Sequence, residues 1–63
     1  MVEPLIAALK DKNAQVRMYA AASLGQLRDK RAFGPLNVSL NDENSQVRLY
    51  ARESLNQIKG DLK

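Results

Sequence analysis

Apolar positions recur along this chain at helical spacing. Val2, Leu5, Ile6 and Leu9 fall at i, i+3, i+4 and i+7, the single stripe of a short amphipathic helix. Pro4 lies in its first turn, where a missing N–H costs nothing. Lys10–Asn13 breaks the stripe and predicts a turn, with Asp11 or Asn13 available to cap the next helix. That helix is expected over about Ala14–Leu27, with Val16, Ala20, Ser23, Leu24 and Leu27 facing a core. Arg28–Ala32 then reads as a linker, with Asp29 as a cap for the third helix. The same pattern returns as a helix over Phe33–Leu40, a turn at Asn41–Asn44 and a helix over Ser45–Lys59, which Gly60 is expected to stop. Strands are not supported, because no segment sustains period-two alternation and Ala, Leu, Gln, Arg and Lys dominate.

The return is a duplication. Asn13-Ala14-Gln15-Val16-Arg17-Met18-Tyr19-Ala20 reappears 31 residues later as Asn44-Ser45-Gln46-Val47-Arg48-Leu49-Tyr50-Ala51. Aligning Val2–Leu27 with Phe33–Ile58 pairs 26 positions, of which 13 are identical. A repeat of this period marks a stacked architecture. The expected fold is all-α, an α-solenoid of two helical hairpins comprising four helices. It forms one domain over residues 1–63, with repeat one at 2–32 and repeat two at 33–63.

Composition narrows the chemistry. The chain contains neither cysteine nor histidine, so disulfides and the usual zinc and iron ligand sets are excluded. No cofactor and no metal are expected. The apolar run Leu5–Leu9 is far too short to span a membrane and ends at Lys10. Nothing resembles a signal peptide, and a cytoplasmic location suits such a chain. The net charge of +3 arises in residues 1–32, with six Lys/Arg against three acids, whereas residues 33–63 balance four against four. This is ordinary solubility charge on a helical surface.

Catalysis finds no support. There is no nucleophile with a base beside it, no carboxylate pair on one helical face and no Gly-rich phosphate loop. Glu53 reads as a solvated glutamate, and the chain is expected not to be an enzyme.

The residues Val2-Glu3-Pro4-Leu5, Leu9, Asp11, Val16-Arg17, Ala20, Leu24-Gly25-Gln26-Leu27, Asp29 and Ala32 resemble the HEAT-like repeat of the phycobilin-lyase (PBS-lyase) type. The second copy keeps Pro35-Leu36, Leu40, Asp42, Val47-Arg48, Ala51 and Leu55, then departs at Asn56, where the pattern has glycine. The resemblance implies a solenoid with first helices convex and second helices concave. It also implies polar ladders of Asp11/Asp42 with Arg17/Arg48. On the second helices it implies a concave, protein-binding face of Gln15, Met18, Tyr19, Ala22 and Gln26, with Gln46, Leu49, Tyr50, Glu53 and Gln57 in the other copy. Those residues are uncharged apart from Glu53, which disfavours nucleic acid. An interaction scaffold with a protein partner is the expected function. The alternatives are an accessory subunit or fragment of a phycobilin lyase-like protein, and a designed or minimal repeat protein that only folds and assembles.

Mismatches between the copies carry further information. Ile6, Ala8, Ala14, Ala21, Ala22 and Gly25 become Asn37, Ser39, Ser45, Arg52, Glu53 and Asn56. The second copy is therefore the more polar, as a C-terminal capping repeat should be. A chain this short buries only about 60% of its unfolded surface, and at least about three repeats are normally needed. The chain is accordingly expected to be the end of a longer one or to self-associate. Val2, Leu5 and Ile6 on the uncapped first repeat are the candidate contact, with a homodimer favoured over other homo-oligomers.

Overall fold

A computed structural model describes residues 2–60, which form four α-helices: α1 (Val2–Ala8), α2 (Ala14–Leu27), α3 (Phe33–Ser39) and α4 (Ser45–Gly60). A single 3-10 turn, Lys30–Ala32, leads into α3. The expected repeat two runs on to residue 63, and its last three residues lie outside those described. Each long helix packs beside its own short one, and α2 against α4 is the most extensive contact. The fold is an all-α stack of two hairpins.

Each hairpin turn is set by the same two side chains. The Asp11 carboxylate accepts the Asn13 N–H at 2.9 Å, and the Asn13 amide oxygen accepts the Gln15 and Val16 N–H groups at 2.8 and 3.3 Å. In the second repeat Asp42 receives Asn44 at 2.9 Å, and Asn44 receives Gln46 and Val47 at 2.9 and 3.1 Å. The asparagine is thus the cap and the aspartate fixes the asparagine. Helix α2 ends at Arg28, a left-handed residue with φ 53° whose N–H reaches the Leu24 and Gly25 carbonyls. Gly60 does not take the expected place just past the helix. It is part of the helix, and no glycine has positive φ among the described residues.

The core is built from small residues where the long helices meet. Ala20, Ala21, Leu24, Leu36, Val47, Ala51 and Ile58 are buried, with Ala21 fully enclosed. The Ser54 hydroxyl donates to the Ala21 carbonyl at 2.5 Å across this junction. Beside it lies Gly25, where an added Cβ would stand 2.6 Å from both Ser54 Cβ and Gln57 Oε1. Only glycine permits so close an approach. Asn37, the polar interruption of the α3 stripe, is exposed and donates to the Phe33 carbonyl at 3.1 Å.

Arg17 clamps the two turns together. Its Nη1 donates to the Asp11 and Lys12 carbonyls at 2.7 and 3.1 Å, while Nε and Nη2 grip the Asp42 carboxylate at 2.9 and 3.2 Å. The ion pair is largely shielded, with side-chain exposures of 10% and 12%. Burial opposes ionisation of Asp42, but the Asn44 N–H and the Arg17 guanidinium outweigh it and hold the carboxyl below its ordinary value. Asp29 is held at about 2 by its hydrogen bonds from the Arg31 side chain and N–H.

The junction and its turns can be probed by two substitutions and by acid. Gly25→Ala should lower stability despite gaining up to about 1 kcal/mol of helix propensity. The overpacking costs about 1–3 kcal/mol, and Ser54 cannot retreat without losing its bond to Ala21. A thermal melt that rises would contradict this. Arg17→Lys should melt well below the parent chain, because an ammonium cannot hold the carboxylate bidentately and both turn carbonyls at once. An unchanged melt would refute the clamp. With pH, both aspartates have folded pKa values below the unfolded value of about 3.9. Their contribution is present above that value and lost as pH falls through the folded ones. The melting temperature should therefore hold from neutrality to about pH 5 and fall steeply below about pH 4, with a shallower acid limb in Asp42→Asn.

Candidate functional site

Helices α2 and α4 lie side by side, and their shared face carries the residues expected to bind. One groove is lined by Gln15, Met18 and Gln46 together with Ala14 and Asn44. A second is lined by Ala22, Gln26, Tyr50, Glu53, Ser54 and Gln57. Eight of the ten candidate residues are thereby brought together along the α2–α4 seam. The two others flank it. Tyr19 is 67% exposed and lines neither groove, whereas Leu49 turns to a third depression with Leu40, Ser45, Arg48 and Arg52. The seam is rich in amides with one carboxylate, and it offers hydrogen bonding and adaptable apolar contact to another surface.

The edges of the stack differ more than the seam does. Within the chain, the side of α4 that faces α2 is closed: Val47 and Ile58 have no exposure and Ser54 has 2%. The matching residues of α2 are not closed in this way. Val16 is 38% exposed and Leu27 50%, Ser23 is half-buried, and Tyr19 beside them is 67% exposed. Val16 and Leu27, expected in the core, are thus partly exposed among the described residues, whereas Val47 and Ile58 are covered at the junction of the two repeats. We call this the leading edge. It also holds Asp11, whose carboxylate is exposed and has no Lys or Arg partner among the described residues.

The residues expected to self-associate lie elsewhere. Val2 is buried in the core, and Leu5 and Ile6 are half-buried against it. Ile6 lines a groove with Leu9, Lys10, Gly34, Pro35, Val38 and Ser39, so it faces the second repeat, away from the leading edge. Val38, 70% exposed, is an apolar residue at this groove that the stripe pattern did not single out.

The opposite, trailing edge of α4 is polar. Arg48 donates from Nη1 to the Asp42 and Glu43 carbonyls at 2.7 and 3.2 Å, the same local bonds that Arg17 makes. Its Nε and Nη2 meet no carboxylate among the described residues. Arg52 and Asn56 are exposed where α2 has the buried Ala21 and Gly25.

No group of His, Cys, Asp and Glu among the described residues could hold a metal ion. No helix among them is long and apolar enough to cross a membrane.

Comparison with curated proteins finds no match. A family model described as HEAT repeats matches residues 2–63. Repeats of this family generally mediate protein–protein interaction and typically form non-catalytic scaffolds. The duplicated Asp-x-Asn turns, the Arg17–Asp42 clamp and the family match agree, and the chain belongs to the HEAT repeat family.

Proposed function

We propose that this chain is a non-enzymatic protein-interaction module that presents two surfaces, the α2–α4 seam and the leading edge of the first repeat. On the seam, Met18, Tyr50 and the four glutamines Gln15, Gln26, Gln46 and Gln57 supply apolar area and paired donors and acceptors. These suit a protein surface better than a phosphate backbone, since the two grooves contain no basic side chain.

One observation carries the reading. The positions that the second repeat buries completely, Val47 and Ile58, are left 38% and 50% exposed as Val16 and Leu27 in the first. Such an edge leaves apolar side chains uncovered beside the exposed Asp11 carboxylate. In a second copy the same edge is available, and two leading edges meeting about a two-fold axis would cover each other and close. The self-association is therefore a homodimer through Val16, Tyr19 and Leu27, which replace Val2, Leu5 and Ile6 as the contact.

Sedimentation equilibrium over a dilution series tests this. The mass is expected to move from monomer to a dimer plateau, and Leu27→Glu should shift the midpoint to at least about tenfold higher concentration by burying a charge at the contact. A monomer at every concentration would rule out the dimer. For the seam, Met18→Glu is expected to abolish partner capture without altering the dimer midpoint. Capture that persists in that variant would remove the seam from the binding surface.

A further inference from the structure

The internal junction shows what a repeat of this chain demands of the unit that docks on its leading edge. Helix α2 offers its follower three things: Arg17 for the Asp42 carboxylate, the Ala21 carbonyl for the Ser54 hydroxyl, and the empty space over Gly25 for Ser54 and Gln57. The first repeat carries the matching residues, Asp11, Ser23 and Gln26 standing where the second has the acceptor Asp42, the donor Ser54 and Gln57. Beside them Val16 and Leu27 remain partly uncovered.

The chain's own trailing edge matches this socket at one point and fails at two. Arg48 is held through Nη1 by its turn carbonyls with the same two bonds that Arg17 makes. A second copy stacked head to tail would therefore bring Arg48 to Asp11. However, Arg52 stands in the place of the fully enclosed Ala21, and Asn56 in the place of Gly25. In the internal register even a bare Cβ at residue 25 lies 2.6 Å from Ser54 Cβ and Gln57 Oε1. The Asn56 side chain, with an amide beyond its Cβ, would meet Ser23 and Gln26 of the next copy in the same way.

We propose that Arg52 and Asn56 form a stacking stop. They exclude the chain's own α4 from its leading-edge socket, although the Arg48–Asp11 pairing would otherwise draw copies into an open head-to-tail filament. Remaining differences at the same edge are consistent with this role. Ile6, which faces the second repeat, becomes the exposed Asn37, and Ala14 becomes the exposed Ser45. The stop rests on the proposed function and deepens it, by excluding the head-to-tail mode that would compete with the two-fold pair for the leading edge. It does not require that the two-fold pair form.

The test removes the stop. The full chain and its Arg52→Ala/Asn56→Gly variant are compared by sedimentation velocity across one concentration series, with circular dichroism verifying the fold at each end. The parent should reach a limiting mass, while the double variant should grow in mass with concentration and reach no plateau. Adding Asp11→Asn to the double variant should raise the concentration needed for growth about tenfold or more, through loss of the charge-assisted pair. If Asn56→Gly leaves the chain unfolded, both chains are compared again with Arg28→Gly, which relieves the left-handed backbone at φ 53°. A double variant whose mass tracks the parent at every concentration overturns the inference, as does a parent that grows without limit. A monomeric parent with a filament-forming double variant would discard the dimer and keep the stop.

Discussion

Everything in this molecule depends on how closely α2 and α4 approach. A helical hairpin of this length cannot bury its apolar face alone, so each repeat is completed by its neighbour. At this junction the approach is set by absence of side chain: Ala21 and Gly25 contribute almost nothing but backbone, and Ser54 fills the space. Arg17 then fixes the register by holding its own turn and the Asp42 carboxylate at once. Shape brings the helices together, and the guanidinium decides where along each other they stop.

From that constraint comes the polarity of the stack. One edge of a repeat is a receiver, carrying Asp, Val, Tyr, Ser and Leu or Ile, and the other is a donor, carrying Arg with small residues behind it. The second repeat receives the first completely, whereas the first has its receiving edge open. The donor edge of the second repeat has kept its arginine and lost its small residues. Two surfaces built on the same pattern thereby differ in what they can accept, and the difference lies in two side chains.

Much of this was legible in the sequence because each copy helps to interpret the other. The starts of the long helices came from the Asp-x-Asn turns, and the resemblance to HEAT-like repeats implied the pairing of Arg17/Arg48 with Asp11/Asp42. What could not be read was which copy of a repeated position is covered. Val16 and Val47 are the same residue in the same local pattern, yet one is 38% exposed and the other fully buried, because only Val47 lies at the junction of the two described repeats. Direction was equally hidden: Ile6 belongs to an apolar stripe, but the stripe does not say that it faces α3. Gly60 looked like a helix stop by residue type, while the left-handed residue proved to be Arg28. The replacement of Gly25 by Asn56 was visible as a change in polarity. Its steric meaning appeared only with Ser54 and Gln57 placed beside the missing Cβ.

The central claim is that the leading edge is open to association and the trailing edge is closed. Methyl-resolved NMR of the full chain during dilution examines both edges in one experiment. The Val16 and Leu27 methyl resonances should shift with concentration while those of Leu40 and Leu49, on the trailing edge, stay fixed. Shifts at Leu40 and Leu49, or no concentration dependence at Val16 and Leu27, would contradict the account.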